Sequence, residues 1–239
     1  MPPTARDALN RLQALGSLEA AATAARYFKT GPGQYGEGDV FLGVRVPALR
    51  KLASEFRHLP DGEVLSLLGS EFHEARLLAL LIWVRAASKG DEATRRLVYD
   101  LYLANTRSVN NWDLVDASAR EIVGGYLHDK DRVPLYRLVR SKSVWERRIA
   151  IIATHDFIAR HDFADTLGIT GTLLGDPHDL IHKAAGWMLR EVGKRDRATL
   201  ERFLRAHHRV MPRTMLRYAI ERFPPDVRRA YLTGSLTAS

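Results

Sequence analysis

Apolar residues recur at three- and four-residue spacing along almost the whole chain, the pattern of helices that each bury one face. It predicts helices over about 5–15, 17–29, 47–57, 61–69, 72–87, 91–104, 111–126, 131–140, 143–159, 162–174, 178–194, 197–207 and 212–222, with ends good to a few residues. Strand-like alternation is nearly absent. The connections are short and carry helix stops or caps: Pro60-Asp61-Gly62, Gly90-Asp91, Asp129, Gly175-Asp176-Pro177 and Pro224-Pro225. The exception is a longer, glycine-rich loop from Thr30 to Val46.

A longer period lies over the helical one. Arg76-Leu77-Leu78-Ala79, Arg147-Arg148-Ile149-Ala150 and His182-Lys183-Ala184-Ala185 each set a polar residue three before an alanine. Halving the first interval gives position 111, so the register runs 76, 111, 147, 182 in steps of 35, 36 and 35, and one more step reaches Arg217. Two helices per period predict an α-solenoid of HEAT-like repeats, because a single repeat cannot bury its own apolar face and must stack on its neighbours. The expectation is one continuous domain over residues 1–239, all-α, forming a curved superhelix with a basic concave face.

Charge then narrows the partner. Lys and Arg number 36 against 28 Asp and Glu, a net charge of +8, and the pI is about 9.9. That excess favours a polyanion, nucleic acid before an anionic membrane surface. The chain has no cysteine, which excludes disulfide and thiolate chemistry. The stretch Met1 to Asp7 lacks the apolar core of a signal peptide. The longest apolar run, Leu77 to Val84, is far short of the roughly 20 residues of a membrane span. A cytoplasmic, soluble monomer is expected.

The register also gathers chemistry. Trp112 and Asp116 are four apart and share a helix face. Arg148 follows position 147 as Trp112 follows 111 and Lys183 follows 182; Trp187 and Arg190 lie one and two turns beyond Lys183. Taken singly, each tryptophan reads as core, and Asp113 or Asp116 as a carboxylate near a helix N-terminus. On one repeat register they make a candidate site.

Four segments in order are similar to the AlkD family of DNA alkylation repair glycosylases, across nearly the whole chain. They are Tyr27-Phe28-Lys29 with Phe41-Leu42-Gly43-Val44-Arg45-Val46-Pro47, then Trp112-Asp113-Leu114-Val115-Asp116, then Trp145-Glu146-Arg147-Arg148, and Lys183-Ala184-Ala185-Gly186-Trp187-Met188-Leu189-Arg190-Glu191. The resemblance implies a catalytic carboxylate at Asp116, aromatic residues flanking the lesion nucleotide at Trp112 and Trp187, a backbone-contacting arginine at Arg148, and a tyrosine beside the cleft at Tyr27. It further implies a lesion approached within the duplex rather than flipped out. The loop Gly31 to Val40 is longer than in the family's familiar members.

An N3- or N7-alkylated purine is cationic and leaves as a neutral base, so no general acid is needed, unlike sugar–oxygen hydrolysis with its two carboxylates. One carboxylate suffices to stabilise the oxocarbenium charge and orient water. Tryptophan faces attract the cationic base. Phosphate contacts are expected from Arg148 and Arg190, with Lys183 and Arg213 behind them and Lys29, Arg45, Arg50, Arg76, Lys194 and Arg217 as weaker candidates.

Other signals are set aside. Gly31-x-Gly33-x-x-Gly36 matches a dinucleotide fingerprint but follows no strand, and reads instead as a flexible DNA-contacting or cleft-covering loop. His178 and His182 have helical spacing without a zinc-protease glutamate or third ligand, and His207-His208 reads as surface, so neither metal nor cofactor is expected. The reading is a monofunctional glycosylase acting on double-stranded DNA that carries alkylated bases. The alternatives are a non-catalytic HEAT-like protein recognising damaged or branched DNA, and a protein-binding scaffold.

Overall fold

The computed structural model describes residues 3–235; Met1 and Pro2, the start of the N-terminal stretch read above, lie outside the described residues. Two compact units divide the chain, one up to Ile122 and one from Val123.

In the first unit the helices are α1 (Ala5–Ala14), α2 (Leu18–Tyr27), α3 (Val46–Glu55), α4 (Asp61–Leu68), α5 (His73–Lys89), α6 (Glu92–Ala104) and α7 (Trp112–Asp116). Helix α5 is the centre, packed by α3, α4 and α6. It is buried all round from Ala75 to Trp83, with Arg76 the one charged residue in that run. Helix α2 is the opposite case: none of its residues is buried. It is joined to α3 through Gly43, whose φ of 79° suits glycine, and where a Cβ would stand 2.2 Å from the Ser17 carbonyl oxygen. Among the described residues the β structure is one isolated parallel bridge, Val40 to Phe72.

The second unit holds α8 (Gly125–Leu127), α9 (Val133–Leu138), α10 (Val144–Ala159), α11 (Ala164–Thr172), α12 (Asp179–Arg195), α13 (Arg197–His207), α14 (Arg213–Ala219) and α15 (Pro225–Thr233). Helix α10 packs on α9, α11 and α12, and α12 on α13 and α14. At Gly186 the α12 and α14 backbones come close enough that a Cβ would lie 2.5 Å from the Met215 carbonyl oxygen.

The repeat register has a physical basis. Arg76, Arg147 and His182 are each the fourth residue of their helix. The Arg76 Nη1 donates to the carbonyls of Ser70 and Glu71 at 2.9 and 3.0 Å. The Arg147 Nη1 donates to those of Ser141 and Lys142, both at 3.0 Å, and the His182 Nε2 to that of Asp176 at 2.5 Å. In each case a donor reaches back to the carbonyl six residues earlier and closes the turn before its own helix. Arg76 is therefore a buried turn-closing residue.

Two expectations are corrected. The helix drawn over 111–126 stops at Asp116 and resumes as a π-helix, Arg120–Gly124, running into α8. Ser118 explains the break: its hydroxyl donates to the Leu114 carbonyl at 2.6 Å, competing with the helical ladder. The predicted helices end at 222, but α15 follows; Pro224 caps it and Pro225 takes its first position, where its missing N–H costs no helical bond.

Candidate active site

Helix α7 is five residues long, too short to persist on its own. Its N-cap is Asn111, fully buried, whose side-chain oxygen accepts from the Trp112 N–H at 2.8 Å. Asn111 is thus outside the helix, and the fourth residue of α7 is Val115. Counted from the helix starts, the equivalents of Arg148 and Lys183 at fifth position are therefore Asp116, and not Trp112, which is first. The sequence register was one turn early there.

Trp112 and Asp116 are both half-buried, one turn apart. The Trp112 ring stacks on Phe28 with centroids 5.3 Å apart and meets the edge of Tyr27 at 5.9 Å. Tyr27 is 66% exposed, so the aromatic group has a wet outer edge. Behind it, burial pushes the Tyr102 hydroxyl far up in pKa, its hydrogen bond to Ser118 opposes this, and the field of Asp116 adds to the rise.

Beneath the aromatic rings lies a charged group that sequence reasoning missed. His73, 2% exposed, places Nδ1 3.2 Å from Asp39 and Nε2 2.8 Å from Asp113. Asp39 also accepts from Arg76 at 2.5 Å and from the Asn111 amide at 3.0 Å. Burial opposes the charge on His73, but the bonds and charges of Asp113 and Asp39 outweigh it and raise its pKa. Burial likewise works against the Asp39 carboxylate, but His73, Asn111 and Arg76 together hold its pKa down. The neighbouring Glu74 accepts from the backbone N–H groups of Leu42, Gly43 and Val44 at 2.9, 2.8 and 3.2 Å. The long loop is thereby pinned at its far end. A cleft of about 490 Å³ opens beside this group, walled by Tyr27, Phe28, Phe41, Arg45, Glu74 and Asp113 among others. Asp39 carried no periodicity or motif to reveal it. His73 and Asp113 stand at helix starts, where a capping role explains them equally well.

In the second unit Arg148 is 5% exposed and its Nη1 donates to the Leu180 carbonyl at 2.5 Å. Trp187 is half-buried, donates its indole N–H to Glu191 at 3.2 Å, and meets the edge of His155 at 5.7 Å. Arg190 pairs with Glu221, Lys183 with Asp179 at 2.8 Å, and Arg213 donates to the Leu232 carbonyl at 2.6 Å. Glu191 is buried yet ionised: burial disfavours its charge, and the Lys194 bond and charge, His155 and Trp187 outweigh that.

This all-helical repeat fold is that of DNA alkylation repair proteins. The chain belongs to the DNA alkylation repair enzyme family, whose profile matches residues 8–223. Among solved structures it is similar to a predicted DNA alkylation repair enzyme from Enterococcus faecalis, with a TM-score of 0.67 and 17% identity over 88% of this chain and 97% of that one. That likeness shows the fold. No curated protein sequence matches the chain. No helix among the described residues is long and apolar enough to cross a membrane.

Proposed function

We propose that this protein is a monofunctional DNA glycosylase that removes N3- and N7-alkylated purines from duplex DNA. The observation that carries the reading is α7, which sets the Asp116 carboxylate one turn from Trp112 at the edge of an aromatic group open to solvent at Tyr27. The C1′–N bond breaks with its electron pair leaving on the cationic base, which departs neutral. Water adds to C1′ and gives its proton to Asp116 or to solvent. Asp116 faces the oxocarbenium charge that builds in between. Trp112 and Trp187 offer electron-rich faces to cationic base and sugar, at roughly 0.5–2 kcal/mol.

Arg148, oriented by the Leu180 carbonyl, holds the backbone near the lesion, and Arg190, Lys183, Arg213 and Tyr27 extend the track. Duplex DNA is bound through these basic side chains, and the lesion stays within the helix. The family match runs through the Ile122–Val123 boundary, which supports one repeat domain over residues 1–239, acting as a cytoplasmic monomer without metal or cofactor. The test is release of 3-methyladenine or 7-methylguanine from methylated duplex DNA in the presence of a chelator. Salt-sensitive binding of that DNA with no base release would favour the non-catalytic, damage-recognising alternative instead.

A further inference from the structure

His73 is held between two carboxylates, and carboxylates only accept. Both ring nitrogens must therefore donate, which requires the imidazolium form. The groups facing it from every packed element are few. The loop supplies Asp39, α7 supplies Asp113, and α5 supplies Glu74, turned to the backbone amides, and Arg76, which shares Asp39. The rings of Phe28 and Phe41 cover the imidazole at 5.1 and 4.6 Å. Asp39, Arg76, His73 and Asp113 form a set of two negative and two positive charges, of which the first three are buried and Asp113 reaches the cleft.

That set grips α7 at its first turn by two side chains, Asn111 through Asp39 and Asp113 through His73. We infer that Asp39 and His73 are positioning residues: the cationic His73 bridges the long loop to α7 and so fixes where Trp112 and Asp116 stand. The inference rests on the glycosylase reading for its catalytic consequence, but not for its geometry. If His73 loses its proton, one ring nitrogen turns a lone pair toward a carboxylate; Asp39 then keeps Arg76 and the Asn111 amide, while Asp113 keeps only the Leu114 N–H at 2.9 Å. The grip on α7 then fails while the rest of α5 stays packed.

The test has two arms. In the unmodified protein, the 15N shifts of the His73 ring should report protonation at both nitrogens at pH 7, and the Trp112 indole resonance should move with the same midpoint as His73 titrates. A neutral His73 at pH 7, or a Trp112 signal indifferent to its titration, overturns the inference whether or not the protein cleaves DNA. In single-turnover base release, His73→Gln and Asp39→Asn should each lower the rate by about tenfold to a hundredfold with DNA affinity held, and His73→Gln should abolish the fall in rate at alkaline pH. Variant rates equal to the unmodified protein's also overturn it. Absence of release by the unmodified protein counts against the glycosylase reading alone, and the resonance arm still decides the role of His73.

Discussion

Trp187 gives its indole N–H to Glu191, one turn further along α12. The same carboxylate takes Lys194 at 2.6 Å and Arg195 at 3.5 Å, so the orientation of the tryptophan depends on a buried carboxylate that two partly exposed cations share. Glu191→Ala leaves the half-buried indole N–H without its partner, while the exposed Lys194 and Arg195 turn to solvent. It should lower stability by about 1–3 kcal/mol, the usual result of stranding buried hydrogen-bonding groups, and change the Trp187 fluorescence. Unchanged urea midpoints and emission would show that the ring is held by packing alone.

Asp116→Asn keeps the shape of the side chain and removes its charge. On the proposed chemistry, single-turnover release of methylated purine should fall by about a hundred- to thousandfold. Affinity for the same duplex should be preserved, since the carboxylate faces the sugar rather than a phosphate. Full activity in this variant would sink the catalytic assignment.

Gly186→Ala sets two effects against each other. Alanine favours a helix interior by about 1 kcal/mol, but its Cβ would meet the Met215 carbonyl oxygen at 2.5 Å and the Tyr218 Cβ at 2.6 Å. Overpacking against backbone typically costs about 1–3 kcal/mol, so a net loss of thermal stability is expected. A raised Tm would mean that α14 gives way easily.

Binding to duplex DNA should weaken steeply with salt, log Kd rising with log salt by about 0.9 for each phosphate neutralised. Replacing Arg190 by Ala should reduce that slope by about one. A flat response measured by fluorescence anisotropy would remove the phosphate track from the reading.

The buried charges of the first unit set opposite pH limits. His73, with its pKa raised above the ordinary 6.5, contributes stability fully below 6.5 and loses it as pH rises through its folded value. Asp39, depressed below 3.8, contributes above 3.8 and loses it as pH falls through its folded value. Urea midpoints across pH should therefore show a plateau between the two, and His73→Gln should remove the alkaline shoulder. An unaltered profile in that variant would detach His73 from it.

Much of the fold was legible because helix burial is periodic. The spacing of Arg76, Arg147 and His182 marked a true repeat, since the same hydrogen bond to the residue six back recurs at each. The register misplaced Asn111 because halving an interval assumes equal repeats, and the repeat containing α7 is broken by Ser118. Helix α15 was missed because a proline pair that ends one helix also begins the next. Asp116, Trp112 and Trp187 were nameable from resemblance and spacing. Asp39 and Glu191 were not singled out, because their importance lies in buried charge pairing: Asp39 joins residues 34, 37 and 72 positions away, which no local pattern encodes.

Helix α2 contributes no buried side chain and is fastened at its ends, by the Ser17 N–H on the Leu42 carbonyl at 2.9 Å and by Phe28 against Phe41 and Trp112. Segments with so little buried surface open locally at low free energy. Its amides are thus set to exchange with solvent well before those of α5. The aromatic wall that Tyr27 and Phe28 lend to Trp112 therefore stands on a segment with little buried surface to hold it.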